Sequence, residues 1–101
     1  MQYGLEIRHL QILKEILMPH TQITNALLFG SRVLGTYSLA SDVDIALKGD
    51  IDIRLIAKLR SNFADSALPF FVDIVDYALA NEELKKHIDT KGVELYARDM
   101  G

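Results

Sequence analysis

The 101-residue chain contains no cysteine, so neither disulfides nor thiolate-bound metals are available to hold it together. It also lacks any run of lysine or arginine. Eleven basic residues stand against fourteen acidic ones, a net charge of -3, and that balance offers nothing to displace counterions from a nucleic-acid backbone. Stand-alone nucleic-acid binding is therefore not expected. Long hydrophobic runs are missing too. The stretch Leu5 to Leu17 is interrupted by Glu6, Arg8, His9, Lys14 and Glu15, and no small-residue cleavage site follows it. It reads as an amphipathic helix, neither a signal peptide nor a membrane span, and a cytoplasmic location is the expectation. No repeat, linker or low-complexity segment is present.

What remains is ordinary globular composition, 50% hydrophobic and 25% charged. A chain of this length buries about two thirds of its unfolded surface, enough for one core, so one domain over residues 1–101 is expected. Leu10, Leu13 and Leu17 recur at helical spacing and predict a helix over 5–17, stopped by Pro19. Asn25 to Phe29 is a short apolar run suited to a buried strand, and Ser31 to Ser41 is loop-like with one helical turn at its start. Asp42 to Lys48 alternates polar and apolar residues, the pattern of a strand with one face in the core. Asp50 offers a cap for a helix carrying Leu55, Ile56, Leu59 and Phe63. Phe70 to Val75 predicts a third strand, with Asp76 as a turn or capping residue. Asn81 caps a further helix that Gly92 ends. Val93 to Ala97 fits either an edge strand or a last helical turn.

Strand alternation puts Asp42 and Asp44 on one face and Val43, Ile45 and Leu47 on the other. The short connection after Phe29 favours an antiparallel first pair, which places Gly30-Ser31 beside Asp42; the longer, helix-bearing connection before Phe70 favours a parallel third strand. Asp73 then lines up with the other two acids. Three carboxylates at about 5 Å, with an effective dielectric near 20, repel by roughly 3 kcal/mol per pair if all are ionised. Such a cluster needs protons or cations. Magnesium prefers carboxylate and phosphate oxygens, and two such ions can hold both the attacking and the leaving oxygen of a phosphoryl displacement. The aspartate face is expected to stay open for substrates.

Gly30-Ser31 follows a strand and precedes a helical turn, where free backbone N–H groups can cradle a phosphate. The segment is no P-loop, because Thr36-Tyr37 stands where Lys-Ser or Lys-Thr is required. Arg32 suits either a phosphate or an acidic partner. His9, His20 and His87 form no ligand pair, and are expected as satisfied surface residues.

Taken together, GSRVLGTYSLASDVDIAL and the later FFVDIVD resemble the nucleotidyltransferase superfamily that includes DNA polymerase β, and specifically its minimal members that act as antitoxins beside HEPN toxins. The matching positions are Gly30, Ser31, Gly35, Ser41, Asp42, Asp44 and Asp73. The resemblance implies an α+β fold with a small mixed sheet flanked by helices. It implies Asp42, Asp44 and Asp73 as catalytic metal ligands for magnesium, two ions, with manganese as a substitute. Nucleotide phosphates would meet Gly30 and Ser31, with Arg32, Gly35 and Ser41 nearby. AMP from ATP, or another nucleoside monophosphate from its triphosphate, would pass to a hydroxyl, in such pairs a tyrosine of the toxin. A non-catalytic antitoxin that masks its partner sterically is the alternative, as is a small-molecule transferase of the aminoglycoside-modifying kind. With no further domain in these residues to hold an acceptor, a second subunit or a dimer is expected to complete the site.

Overall fold

Val43, Ile45 and Leu47 occupy the centre of the molecule, as their alternation requires. In the computed structural model, which describes residues 2–98, all three are 0% exposed and lie on one face of β2 (Val43–Gly49). β1 (Ile23–Phe29) pairs with β2 antiparallel, and β3 (Val72–Asp76) pairs with its other side in parallel. β4 (Val93–Ala97) lies antiparallel to β1, giving the order β3-β2-β1-β4. The segment that fitted either strand or helix is thus an edge strand, supplying the partner that the outer side of β1 would otherwise lack. The mixed sheet flanked by helices is the α+β arrangement expected.

Two helices cover the Val43 face. α1 (Ile7–Leu17) buries His9, Leu13 and Leu17, one residue per helical turn, and α3 (Ile53–Ala64) buries Leu55, Leu59 and Phe63 with the same spacing. With Leu5, Ile23, Ala26, Leu28 and Ile74 these make the main core. His9 is no surface residue: it is 7% exposed. Its Nδ1 accepts the Glu6 N–H at 3.1 Å, and its ring meets Phe70 edge-on with centroids 5.2 Å apart. It is satisfied, but inside.

The other face carries α4 (Glu82–Lys91), capped by Asn81. Ile88 seats against Phe29 and Ala46 in a second apolar cluster, with Leu27, Val75, Tyr77 and Leu84 around it. The aspartate face is therefore covered over much of its length and open only toward its acidic end. The small side chain of Ala46, 0% exposed, is what admits the helix. A 3₁₀ turn at Tyr77–Leu79 joins β3 to α4, and Asp76 caps it through the Ala78 N–H at 3.0 Å. Among the described residues no helix is long and apolar enough to cross a membrane.

The cap of α3 is Asp52, whose Oδ1 accepts the Leu55 N–H at 2.8 Å; the expected cap, Asp50, has another duty. β2 runs to Gly49, opposite Ile23, and the Asp50 N–H continues that pairing to the Gln22 carbonyl at 2.9 Å. The helix cannot begin until the sheet lets go. Asp52→Ala should accordingly cost about 1 kcal/mol, while Asp50→Ala should stay within about 0.5 kcal/mol of wild type. Urea denaturation followed by circular dichroism measures both, and equal losses would show that Asp52 is not the cap that matters.

Candidate active site

The sheet register assembles the acidic end. Asp44 lies opposite Phe29, the last residue of β1, and beside Asp73 on β3. Asp44 and Asp73 therefore share one row on one face, and Asp42 stands just ahead of β2. Asp42 and Asp73 are exposed and Asp44 is half-buried. Burial, then the charges of Asp73 and Asp42, push the Asp44 carboxyl above its ordinary value, while the Arg32 charge pulls it down. A cation would relieve the repulsion from both neighbouring carboxylates.

The donor set fits a hard cation, since every side chain in the row offers carboxylate oxygen. It is a row and not a cage: among the described residues no three Asp, Glu, His or Cys side chains converge to enclose an ion.

The chain leaves β1 through Gly30, at φ +83 and ψ -155. A β-carbon there would run into the Asp44 Oδ2, so glycine is what allows the turn and the carboxylate to share this space. The Gly30 carbonyl accepts the N–H groups of Val33 and Leu34, opening the single turn of α2 (Ser31–Leu34). The N–H groups of Ser31 and Arg32 precede the first intrahelical bonds. They are the donors this turn has to offer a phosphate. Gly35 ends α2 in the left-handed conformation, φ +80, with its N–H on the Ser31 carbonyl; its work is to stop the helix.

Arg32 departs from expectation. It is 1% exposed and lies beneath the loop. Its Nη1 donates to the Tyr3 carbonyl at 2.8 Å, its Nη2 to those of Ser41 at 2.7 Å and Leu39 at 3.2 Å, and its Nε to Ser41 at 3.2 Å. The guanidinium also rests against Phe70 and Tyr37, 4.9 and 5.4 Å from their centroids. Among the described residues no acid is its direct partner; its fork is spent on carbonyls, which are backbone groups with no signature in sequence. Ser41 likewise serves the loop: its Oγ accepts the Ser38 N–H at 2.9 Å while its carbonyl receives Arg32.

One residue at this end was not foreseen. His87, on α4, accepts the Gly30 N–H on its Nε2 at 3.0 Å and meets the Phe29 ring edge-on. A search for histidine pairs passes over it. The available signal was its place three residues after Leu84 and next to Ile88, on the side of α4 that faces the sheet.

Residues 11–101 match the family described as Polymerase beta, Nucleotidyltransferase. The chain is 32% identical over 89 residues to a probable protein adenylyltransferase, MntA, of Haemophilus influenzae, covering 86% of this chain and 78% of that one. A chain from a crystal structure of a toxin-antitoxin with AMP-PNP superimposes with a TM-score of 0.74 at 29% identity, covering 89% of this chain and 74% of its own length. A second match comes from a complex of tri-AMPylated Shewanella oneidensis HEPN toxin with MNT antitoxin, with a TM-score of 0.64 at 26% identity, covering 88% and 73%.

Two outcomes follow from the geometry. Arg32→Met should cost about 3 kcal/mol, because it strands buried carbonyls. Thermal melting checks this, and an unchanged melting temperature with weakened ATP binding would return Arg32 to the phosphate. The raised Asp44 carboxyl means the folded protein holds that proton to higher pH than the unfolded chain does. Stability from this group is thus present below the unfolded value and lost as pH rises through the interval up to the folded one. Metal-free Asp44→Asn should therefore melt as high as wild type or higher at pH 7, with the gap closing in acid. A variant that melts well below wild type at pH 7 would make Asp44 a structural residue.

Proposed function

Because the chain belongs to the polymerase β nucleotidyltransferase family, we propose that it moves AMP from ATP to a hydroxyl of a HEPN-type toxin and serves as that toxin's antitoxin. The observation that carries this reading is the juxtaposition of the Asp44–Asp73 row with the Gly30-Ser31 turn. Anion-binding N–H donors and cation-binding carboxylates, side by side, are what phosphoryl transfer needs. The relatives named above support the choice of nucleotide and partner, since they include a probable adenylyltransferase and a chain from a complex of an AMPylated HEPN toxin with its MNT antitoxin.

Asp42, Asp44 and Asp73 would hold magnesium, two ions, or manganese in its place, whose charge offsets that on the phosphoryl oxygens. Ser31, through its N–H and hydroxyl, binds and orients the phosphates, and Gly30 keeps the turn clear of Asp44. The acceptor oxygen bonds to the α-phosphorus as the bond from that phosphorus to the pyrophosphate oxygen breaks, and a carboxylate of the row takes the acceptor's proton. The open acidic end leaves the acceptor to be supplied by a second protein, and a tyrosine hydroxyl suits that role.

Intact-mass analysis of the co-purified HEPN partner with ATP and magnesium tests the reading. The partner should gain one or more AMP units with wild type and none with Asp42→Asn plus Asp44→Asn. Full neutralisation of the toxin by the double variant, with no mass gain from wild type, would establish steric masking instead.

A further inference from the structure

His87 sits outside every motif that points to transfer, yet it touches the turn on which transfer depends. Its Nε2 accepts the Gly30 N–H at 3.0 Å. A ring nitrogen that accepts carries no proton, so the imidazole is neutral there with its hydrogen on Nδ1. The ring is further fixed by Phe29, with centroids 6.0 Å apart and planes at 74°, and by its neighbour Ile88, buried against Phe29 and Ala46.

Gly30 is the residue of the turn with the most backbone freedom. Its peptide is also where two functions meet, because Asp44 fills the space a side chain would take and the next N–H is that of Ser31. An acceptor on a rigid helix removes that freedom. It also occupies the Gly30 N–H, leaving the backbone N–H groups of Ser31 and Arg32 as the donors for a phosphate. We infer that His87 is a positioning residue: through Gly30 it fixes the phosphate-binding turn relative to the aspartate row. This rests on the transferase reading for its consequence, and on the observed contact for its substance.

His87→Phe keeps an aromatic edge against Phe29 and removes the acceptor, whereas His87→Gln places an amide oxygen at about the reach of Nε2. Should the phenylalanine variant fail to fold, His87→Met gives the same comparison with a slimmer side chain. The Gly30 amide, followed by hydrogen exchange in NMR, should be protected in wild type and His87→Gln and about tenfold less protected in His87→Phe, the loss of one ordinary hydrogen bond. Transfer to the partner should fall by a similar factor in His87→Phe, mainly in kcat, and recover in His87→Gln. The melting-temperature rise on adding magnesium and AMP-PNP should shrink and recover in parallel. Equal protection in wild type and His87→Phe would overturn the contact. Equal transfer by the two would overturn the positioning role. Should wild type transfer nothing while protection tracks the acceptor, the transferase reading fails and the contact stands.

Discussion

A single buried guanidinium decides where the acidic end of the sheet can form. Arg32 draws the carbonyls of Tyr3, Leu39 and Ser41 to one point, joining the N-terminal turn to the second half of the loop between α2 and β2. The turn is shaped for it: Tyr3 and Gly4 both have positive φ, +56 and +70, between the bridged residues Gln2 and Leu5. Asp42 follows Ser41 directly, so the arginine sets where the first aspartate emerges. Its charge has no direct carboxylate partner among the described residues; carbonyl dipoles and two aromatic faces stand in for one. At longer range it favours the ionised form of Asp44. Asp42 and Asp44 thus stand within reach of a fixed positive charge that offsets part of their mutual repulsion.

Much of this was readable from side-chain pattern. The alternation from Asp42 to Lys48 gave β2 and its two faces. Connection lengths gave the antiparallel and parallel pairings, and with them the Asp44–Asp73 row. Each of those inferences rests on periodicity, which a sequence displays openly. The parts that were not legible depend on backbone groups or on distant residues. The place of the Arg32 side chain was not legible because its partners are carbonyls, and every residue has one. Asp50 lost the cap to Asp52 because sheet pairing with Gln22 extends past the strand's apolar pattern. His87 meets Gly30 across 57 positions of chain, a distance at which local spacing says nothing. The extent of α4 over the aspartate face hung on one alanine, since Ala46 follows an aspartate in the outward-facing row and carries no apolar bulk to announce burial.

The two faces of the sheet consequently do different work. The side under α1 and α3 is a continuous core, and its residues answer to packing alone. The side under α4 is divided. Its inner half is a small apolar cluster that anchors the helix, and its outer half is acidic and open. His87 sits at the boundary between the two halves, which is why a residue on a packing helix reaches a turn of the site.

The parallel register of β2 and β3 carries a consequence for how the chain can change. Side chains on a strand alternate, so a one-residue insertion or deletion within β3 would turn Asp73 toward the core and Ile74, 1% exposed, toward solvent. The connection between Ala64 and Val72 has no such parity and can lengthen at small entropic cost. Length variation in this scaffold is therefore confined to the connections, and the spacing of residues within β2 and β3 behaves as a frame that must be kept whole.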